Sequence, residues 1–171
     1  AFGLVRAYLV LEDIRYLHAA IANARWAMAR AEGNGWLPDN CLDINADHTA
    51  LTHTIAYSIR GLLEVGFTSG QSELVDHALV MAKAVASQQR DDGALPGYYT
   101  PNWKAAATWT CVTGNSQMAI NWLRLAKITG EKTLMENARR ANRFNMSIQD
   151  LTTVNMSIHG GLKGSHPVNG G

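Results

Sequence analysis

Side chains that could transfer protons are concentrated in three long segments without helical periodicity, at 33–52, 91–115 and 151–171. Glycoside hydrolysis needs two carboxyl groups about 5–10 Å apart, one of them kept protonated by its surroundings. An aspartate of the first segment facing an aspartate of the second across a cavity would meet this requirement. Together with a histidine just beyond the first segment, the candidate catalytic residues are Asp43, Asp47, Asp91, Asp92 and His53.

The same aspartates also have a purely structural interpretation. Aspartates beside glycine in loops commonly accept hydrogen bonds from their own backbone or cap the next helix. Asp47 precedes a predicted helix start, and Asp92-Gly93 is typical of a turn. Both interpretations stay open at the level of sequence.

Aromatic and polar side chains accompany these carboxylates. Aromatic rings pack on the apolar faces of sugars, while polar groups bind their hydroxyls, so this composition suits a carbohydrate ligand. The candidate substrate-binding residues are Trp36, His48, Tyr57, Arg60, Tyr98, Tyr99, Trp103, Trp109, Asn115, Gln117, His159 and Lys163.

Several of these polar residues lie on helices that are otherwise apolar. Tyr57 and Arg60 follow His53 at helical spacing, and Asn115 and Gln117 occupy corresponding places one repeat later. An unpaired polar group costs about 1–3 kcal/mol when it is buried, so these residues need partners or a wet cavity. They could bind substrate and transfer protons, or they could tie neighbouring helices together through hydrogen bonds.

The elements that position these residues are predicted to be helices. Apolar residues recur at three- and four-residue spacing, and no segment shows sustained strand alternation, so we expect an all-α protein. Half-exposed helices are predicted at about 14–28, 74–85 and 131–149, and more deeply buried ones at about 4–11, 52–65 and 115–128.

Internal repetition organises these helices into hairpins. Gly35 and Leu37 recur 58 residues later at Gly93 and Leu95, whereas Gly70 recurs at Gly130 after 60 residues. The turn at 93–97 matches 160–164 at a shift of 67. Each unit is a helix, a short turn, a second helix, a glycine turn and a long loop. Because short turns alternate with long loops, we predict that all the long loops lie at one end.

The turn sequence Gln-Gln-Arg-Asp-Asp-Gly-Ala-Leu-Pro-Gly at 88–97 resembles the Q-x-x-D-G-x-x-x-G turn of the (α/α) toroid superfamily. Segments 113–117 and 160–167 also resemble motifs of uncharacterised toroid proteins encoded among polysaccharide genes. The superfamily includes six-hairpin glycosidases, polysaccharide lyases, N-acylglucosamine epimerases and terpenoid-cyclase-like proteins. The resemblance implies a partial (α/α) toroid of about three hairpins over residues 1–171.

Three hairpins are half of the usual six. The chain opens with Ala1 inside an apolar helical pattern and ends in a loop-like Asn-Gly-Gly. We therefore expect either a fragment of a longer toroid or an open array completed by a partner, such as a second copy of the chain.

Two functional hypotheses follow from the loops and the resemblance. The first is a carbohydrate-active or carbohydrate-binding protein that takes a small-molecule or oligosaccharide ligand. As an enzyme it would be a glycoside hydrolase, lyase or epimerase acting by acid–base chemistry in a central cavity. The alternative is a non-catalytic protein-interaction module built from helical hairpins.

Composition argues against other classes. The 15 basic and 14 acidic residues leave a net charge of +1, so no basic surface is expected for nucleic acid. No apolar run is long enough for a transmembrane helix, and no signal peptide is visible, so we expect a cytoplasmic protein without membrane contact. Cys41, Cys111 and His159 are too scattered to predict a zinc site, and no cofactor motif is present.

Overall fold

The computed structural model describes residues 1–38, 40 and 48–168. This part of the chain holds six α-helices arranged as three antiparallel hairpins, which confirms the predicted all-α fold. The helices are α1 Phe2–Leu11, α2 Ile14–Met28, α3 Thr52–Ser69, α4 Ser72–Ala86, α5 Val112–Thr129 and α6 Lys132–Ser147. No described helix is both long and apolar enough to cross a bilayer.

The turn inside each hairpin is two residues long because the first helix ends on a left-handed residue. Gly70 (φ 71°) and Gly130 (φ 78°) end α3 and α5, and each donates its amide to a carbonyl four residues back. Glycine adopts this conformation without a steric cost, which is why it dominates such helix ends. Glu12 (φ 55°) takes the same conformation after α1.

The first helices of the hairpins, α1, α3 and α5, form an inner layer, and α2, α4 and α6 cover it on one side. Buried side chains such as Ile59 and Leu63 of α3 and Leu125 of α5 fill the space between the two layers. Asn121 Nδ2 donates to Ala56 O at 2.8 Å and so joins α5 to α3. Burial of apolar surface between the layers is the main stabilising term of such an array.

The long connections gather at the end where α3 and α5 begin, as predicted. Strand β1 (Ala50–Leu51) pairs with β2 (Tyr98–Tyr99), and β3 (Thr110–Cys111) pairs with β4 (Ser165–His166). Both pairs are antiparallel, and each joins one long connection to the next. The three connections therefore form one continuous layer over the helix ends.

The observed repeat explains why the sequence showed several shifts. Helices α3 and α5, and likewise α4 and α6, begin 60 residues apart. In the turn after α4, Arg90 N donates to Ala94 O, and after α6 the corresponding bond runs from Asp150 N to Gly161 O. Seven extra residues inside this third turn change the shift from 60 to 67.

Candidate functional site

One face of each inner helix is turned away from the outer helices and carries polar and exposed residues. With the repeat of 60, its positions correspond in pairs, and spacings of three and four residues place them on a single face. We call this set the inner stripe: His53, Tyr57, Arg60, Glu64 and Phe67 of α3, and Thr113, Gln117, Ile120, Arg124 and Lys127 of α5.

An open pocket of about 370 Å³ lies at the upper end of this stripe, under the long connections. We call it the loop-end pocket. It brings together side chains from β3, from the starts of α3 and α5, and from the second and third connections. It is lined by Leu51, His53, Trp109, Cys111, Thr113, Lys163, Gly164, Ser165 and Val168.

His53 is held from two sides in the loop-end pocket. Its Nδ1 lies 3.9 Å from Cys111 Sγ, within hydrogen-bond distance for sulfur. Its ring meets Tyr57 edge to face, with centroids 5.6 Å apart. The imidazole is half-buried, so it is oriented by neighbours yet still reaches the pocket. An imidazole in this setting can accept or donate a proton near neutral pH.

The Cys111 thiol supports His53 from the start of α5. Burial raises the pKa of the Cys111 thiol, and hydrogen bonds from the backbone of Gly114, His53 and Thr113 partly oppose that effect. Gly114 N donates to the sulfur at 3.3 Å. Because the thiol stays protonated at neutral pH, it serves His53 as a neutral hydrogen-bonding partner.

An aromatic wall closes one side of the loop-end pocket. Trp109 packs edge to face with Tyr98 at a centroid distance of 5.5 Å. Gly97 lies behind the indole, where a Cβ atom would come within 2.6 Å of Trp109 ring carbons. The backbone therefore fixes the Trp109 ring, and its apolar surface is available to stack on a ligand.

Lower on the inner stripe, an ionic cluster joins α3 to α5. Arg124 donates to both carboxylate oxygens of Glu64, at 3.0 and 2.9 Å, and Arg60 Nε lies 3.0 Å from the same carboxylate. The hydrogen bond to Glu64 raises the pKa of Arg124. The guanidinium groups also stack over rings, Arg60 over Phe2 and Arg124 over Phe67. Two cations thus share one buried carboxylate.

A second pocket of about 280 Å³ lies between the loop-end pocket and this cluster. We call it the inner pocket. Gln117 Oε1 is buried beside it and finds no hydrogen-bond partner among the described residues. Its lining consists of Phe2, Ala56, Tyr57, Arg60, Gln117, Ile120 and Asn121.

Solved structures with a similar chain path are sugar-processing enzymes. A D-mannose isomerase superposes with a TM-score of 0.68 at 17% identity, over 85% of this chain and 38% of that one. The unsaturated glucuronyl hydrolase of Bacillus sp. GL1 gives 0.70 at 16% identity, over 85% and 42%. A sugar epimerase from a ruminal bacterium gives 0.66 at 14% identity, over 86% and 41%.

The fold is a partial (α/α) toroid. The chain spans about two-fifths of the length of these three toroid enzymes. Neither the family models nor the curated proteins give a significant match to the sequence. At these identities the likeness establishes the toroid fold, which hosts isomerase, hydrolase and epimerase activities.

The predicted catalytic aspartates do not line the loop-end pocket of this toroid in the part of the chain that the structure describes. Asp43 and Asp47 lie outside the described residues. Asp91 and Asp92 are exposed in the turn after α4, where Asp92 Oδ1 accepts a hydrogen bond from Ala94 N at 2.9 Å. That bond matches the structural interpretation of Asp92, and a catalytic role stays a prediction for all four.

Three of the predicted substrate-binding rings are buried beneath the loops of the toroid. Trp36 meets Trp103 edge to face at 5.1 Å, and Tyr99 packs on the other side of Trp103. Trp103 Nε1 donates to Asn34 O at 3.0 Å, which joins the first long connection to the second. Burial raises the pKa of the Tyr99 phenol. These rings stabilise the loop layer, and we assign them no contact with a ligand.

The remaining predicted residues are distributed between structure and surface. Asn115 is buried and donates from Nδ2 to Ala141 O and to Asn145 Oδ1, which ties α5 to α6. This is the hairpin-joining role that the sequence left open. His48 is exposed, and His159 is exposed with Nδ1 3.2 Å from Thr153 O. A ligand-binding role for the two histidines stays a prediction.

Sequence reasoning missed part of the site. Thr113, Glu64 and Arg124 were not among the predicted residues, although shifting His53 and Glu64 by 60 positions points to Thr113 and Arg124. Cys111 was considered only as a metal ligand. Within the described residues, no group of three or more histidine, cysteine, aspartate or glutamate side chains could hold a metal ion.

Proposed function

We propose that this toroid chain binds a sugar in the loop-end pocket and transfers protons on it through His53. The observation that carries the proposal is the arrangement of His53, oriented by Cys111 and Tyr57, opposite a fixed indole and a lysine in one open pocket. Trp109 stacks on the apolar face of the ring, and Lys163 and Thr113 bind hydroxyl groups. This division of labour is common in sugar pockets.

Isomerisation or epimerisation of a reducing sugar suits this pocket best. His53 removes a proton from the carbon beside the carbonyl of the open-chain sugar and returns it to the adjacent carbon or to the opposite face. A histidine can perform both transfers because its ordinary pKa lies near neutral pH. Two of the three similar structures reported above are an isomerase and an epimerase.

Glycoside hydrolysis is the second candidate. It requires two carboxyl groups, and the described lining of the loop-end pocket includes no aspartate or glutamate. The segment that contains Asp43 and Asp47 leads directly into His48 and β1, next to this pocket. A pair of carboxylates contributed by that segment would change the chemistry from isomerisation to hydrolysis.

A deuterium-exchange assay tests the proposed reaction. The wild-type chain is incubated with reducing hexoses in D₂O, and proton NMR follows loss of the C2 proton and appearance of the isomer. His53→Gln should lower the exchange rate by at least about a hundredfold, the usual contribution of a general base. His18→Gln, at an exposed histidine of α2, is the matched control and should leave the rate unchanged.

Two results would decide against this assignment. Exchange by His53→Gln at the wild-type rate would remove His53 from the mechanism. Hydrolysis of aryl glycosides that is abolished by Asp43→Asn or Asp47→Asn would favour the hydrolase instead. Asp91→Asn and Asp92→Asn, at exposed turn positions, should affect neither reaction.

A further inference from the structure

The inner stripe carries an excess of positive charge. Arg60, Arg124 and Lys127 are cationic, whereas Glu64 is the only acidic member. Because Arg124 occupies both oxygens of Glu64 in a bidentate pair, the charge of Arg60 is only partly balanced. In the described part of the chain, no second carboxylate pairs with either arginine. The cluster therefore attracts one further anion.

Arg60 brings this charge to a cavity. Its side chain is 24% exposed, and it lines the inner pocket with its guanidinium group stacked over the Phe2 ring. The terminal guanidinium nitrogens suit carboxylate or phosphate oxygens, which they bind through paired hydrogen bonds. An anionic group in the inner pocket would find a cation there whose aromatic neighbour fixes its position.

The opposite wall of the inner pocket offers an acceptor. Gln117 Oε1 is buried and has no partner among the described residues. A buried acceptor without a donor is costly, and a ligand hydroxyl would supply that donor. The inner pocket thus has complementary groups for an anion and for a neighbouring hydroxyl, which is the combination found on an acidic sugar.

The spacing along α3 sets the length of the ligand. His53 and Arg60 are seven residues apart on one helix face, which corresponds to about 10 Å along the axis. A hexose whose reactive carbon lies at His53 would extend down the stripe and place its C6 substituent towards Arg60. A negative charge at the end of the sugar opposite the carbonyl fits this geometry.

We propose that the ligand is an anionic sugar, with a carboxylate or phosphate at the far end bound by Arg60 in the inner pocket. This proposal rests on the proposed function for the position of the reactive end. A hydroxyl next to the anion donates to Gln117 Oε1, and the Phe2 and Tyr57 rings line the space between them.

A set of ligands that differ only at C6 tests the charge requirement. Glucose, glucuronate and glucose 6-phosphate are titrated into the full chain by calorimetry, with inorganic phosphate as a separate probe. Wild type should bind at least one of the two acidic sugars roughly tenfold or more tightly than glucose, as one charge-assisted contact predicts. The comparison of the two distinguishes a carboxylate site from a phosphate site, and phosphate alone should bind weakly.

Arg60→Gln should remove that preference and leave glucose binding unchanged. The variant retains the bidentate Glu64–Arg124 pair, so the two helices stay joined. Arg60→Lys retains the charge without the paired donors and should keep part of the preference. Arg143→Gln, at an exposed arginine of the outer helix α6, is the matched control and should bind like wild type.

The outcomes separate this proposal from the proposed function. If glucose binds and His53 supports exchange but the acidic sugars bind no more tightly, the anionic ligand is wrong and the function stands. If Arg60→Gln retains the full preference, the assignment of Arg60 is overturned. If Arg60-dependent binding of acidic sugars occurs while His53→Gln remains fully active, the anion site stands and the proposed role of His53 falls.

Discussion

At the scale of single residues, His77 is the buried histidine that the proposed mechanism does not use. It lies on α4, and its Nε2 is buried without a partner among the described residues. Burial lowers the pKa of His77, although a backbone hydrogen bond with Gly35 partly opposes that effect. The neutral ring therefore packs α4 against the turn that follows α2.

We predict that stability falls as the pH drops below about 6.5, the ordinary pKa of histidine. The unfolded chain binds a proton on His77 in that range while the folded chain resists it, so protonation favours unfolding. Above this pH both states are neutral at His77, and its effect vanishes. Urea unfolding between about pH 5 and 8 measures the slope.

The slope should be smaller in His77→Gln because the group responsible for it has been removed. His18→Gln, on the exposed side of α2, should retain the wild-type slope. Identical slopes for His77→Gln and wild type would show that His77 does not resist protonation in the folded chain.

At the scale of elements, the loop-end pocket depends on the close approach of two helix ends. Gly114, in the first turn of α5, faces the start of α3. A Cβ atom built on it would lie 2.8 Å from Thr52 Cβ and 2.9 Å from His53 N. The second of these is a backbone atom, so the contact can be relieved only by moving α3 away from α5.

Gly114→Ala should therefore destabilise the chain by about 1–3 kcal/mol, the usual cost of overpacking. Alanine favours a helix over glycine by about 1 kcal/mol, which reduces the loss without reversing it. Gly3→Ala in α1, where no atom lies within 4 Å of the added Cβ, should be neutral or slightly stabilising. Urea unfolding compares the two variants, and equal stability would contradict the close approach.

The helices were predictable from the sequence, whereas the short strands were not. Apolar periodicity predicted 4–11 and 52–65, and the observed α1 and α3 extend these by a few residues. Helix α5 begins at Val112 rather than near 115, because Thr113 and Gly114 have low intrinsic helix propensity and packing overrides it. Strands of two residues are too short to show any alternation.

At the scale of the whole molecule, connection lengths predicted the site better than residue types did. Alternating short turns and long loops placed the loops at one end, and β1 to β4 confirm it. Which loop residues would face the pocket could not be predicted, because Trp36 and Trp109 differ only in tertiary packing. The ionic cluster was also missed, since Arg124 meets Glu64 only when two hairpins lie side by side.

The exposed inner stripe belongs to the same scale. Phe67 and Ile120 are 54% and 50% exposed on helices whose other faces are buried. The similar toroid enzymes are more than twice as long as this chain. A face of this composition suits either the wall of a sugar-binding cavity or contact with further helices, and only ligand binding separates a sugar-processing protein from an interaction module.

The most direct test of the central claim is to observe the loop-end pocket while sugar is added. NMR spectra of the labelled chain report the His53 imidazole and the Trp109 indole separately from His18 and Trp26, which lie on the outer helix α2. Saturating sugar should shift the His53 and Trp109 signals together and leave those of His18 and Trp26 in place. Unchanged His53 and Trp109 signals, with shifts confined to other residues, would contradict the account.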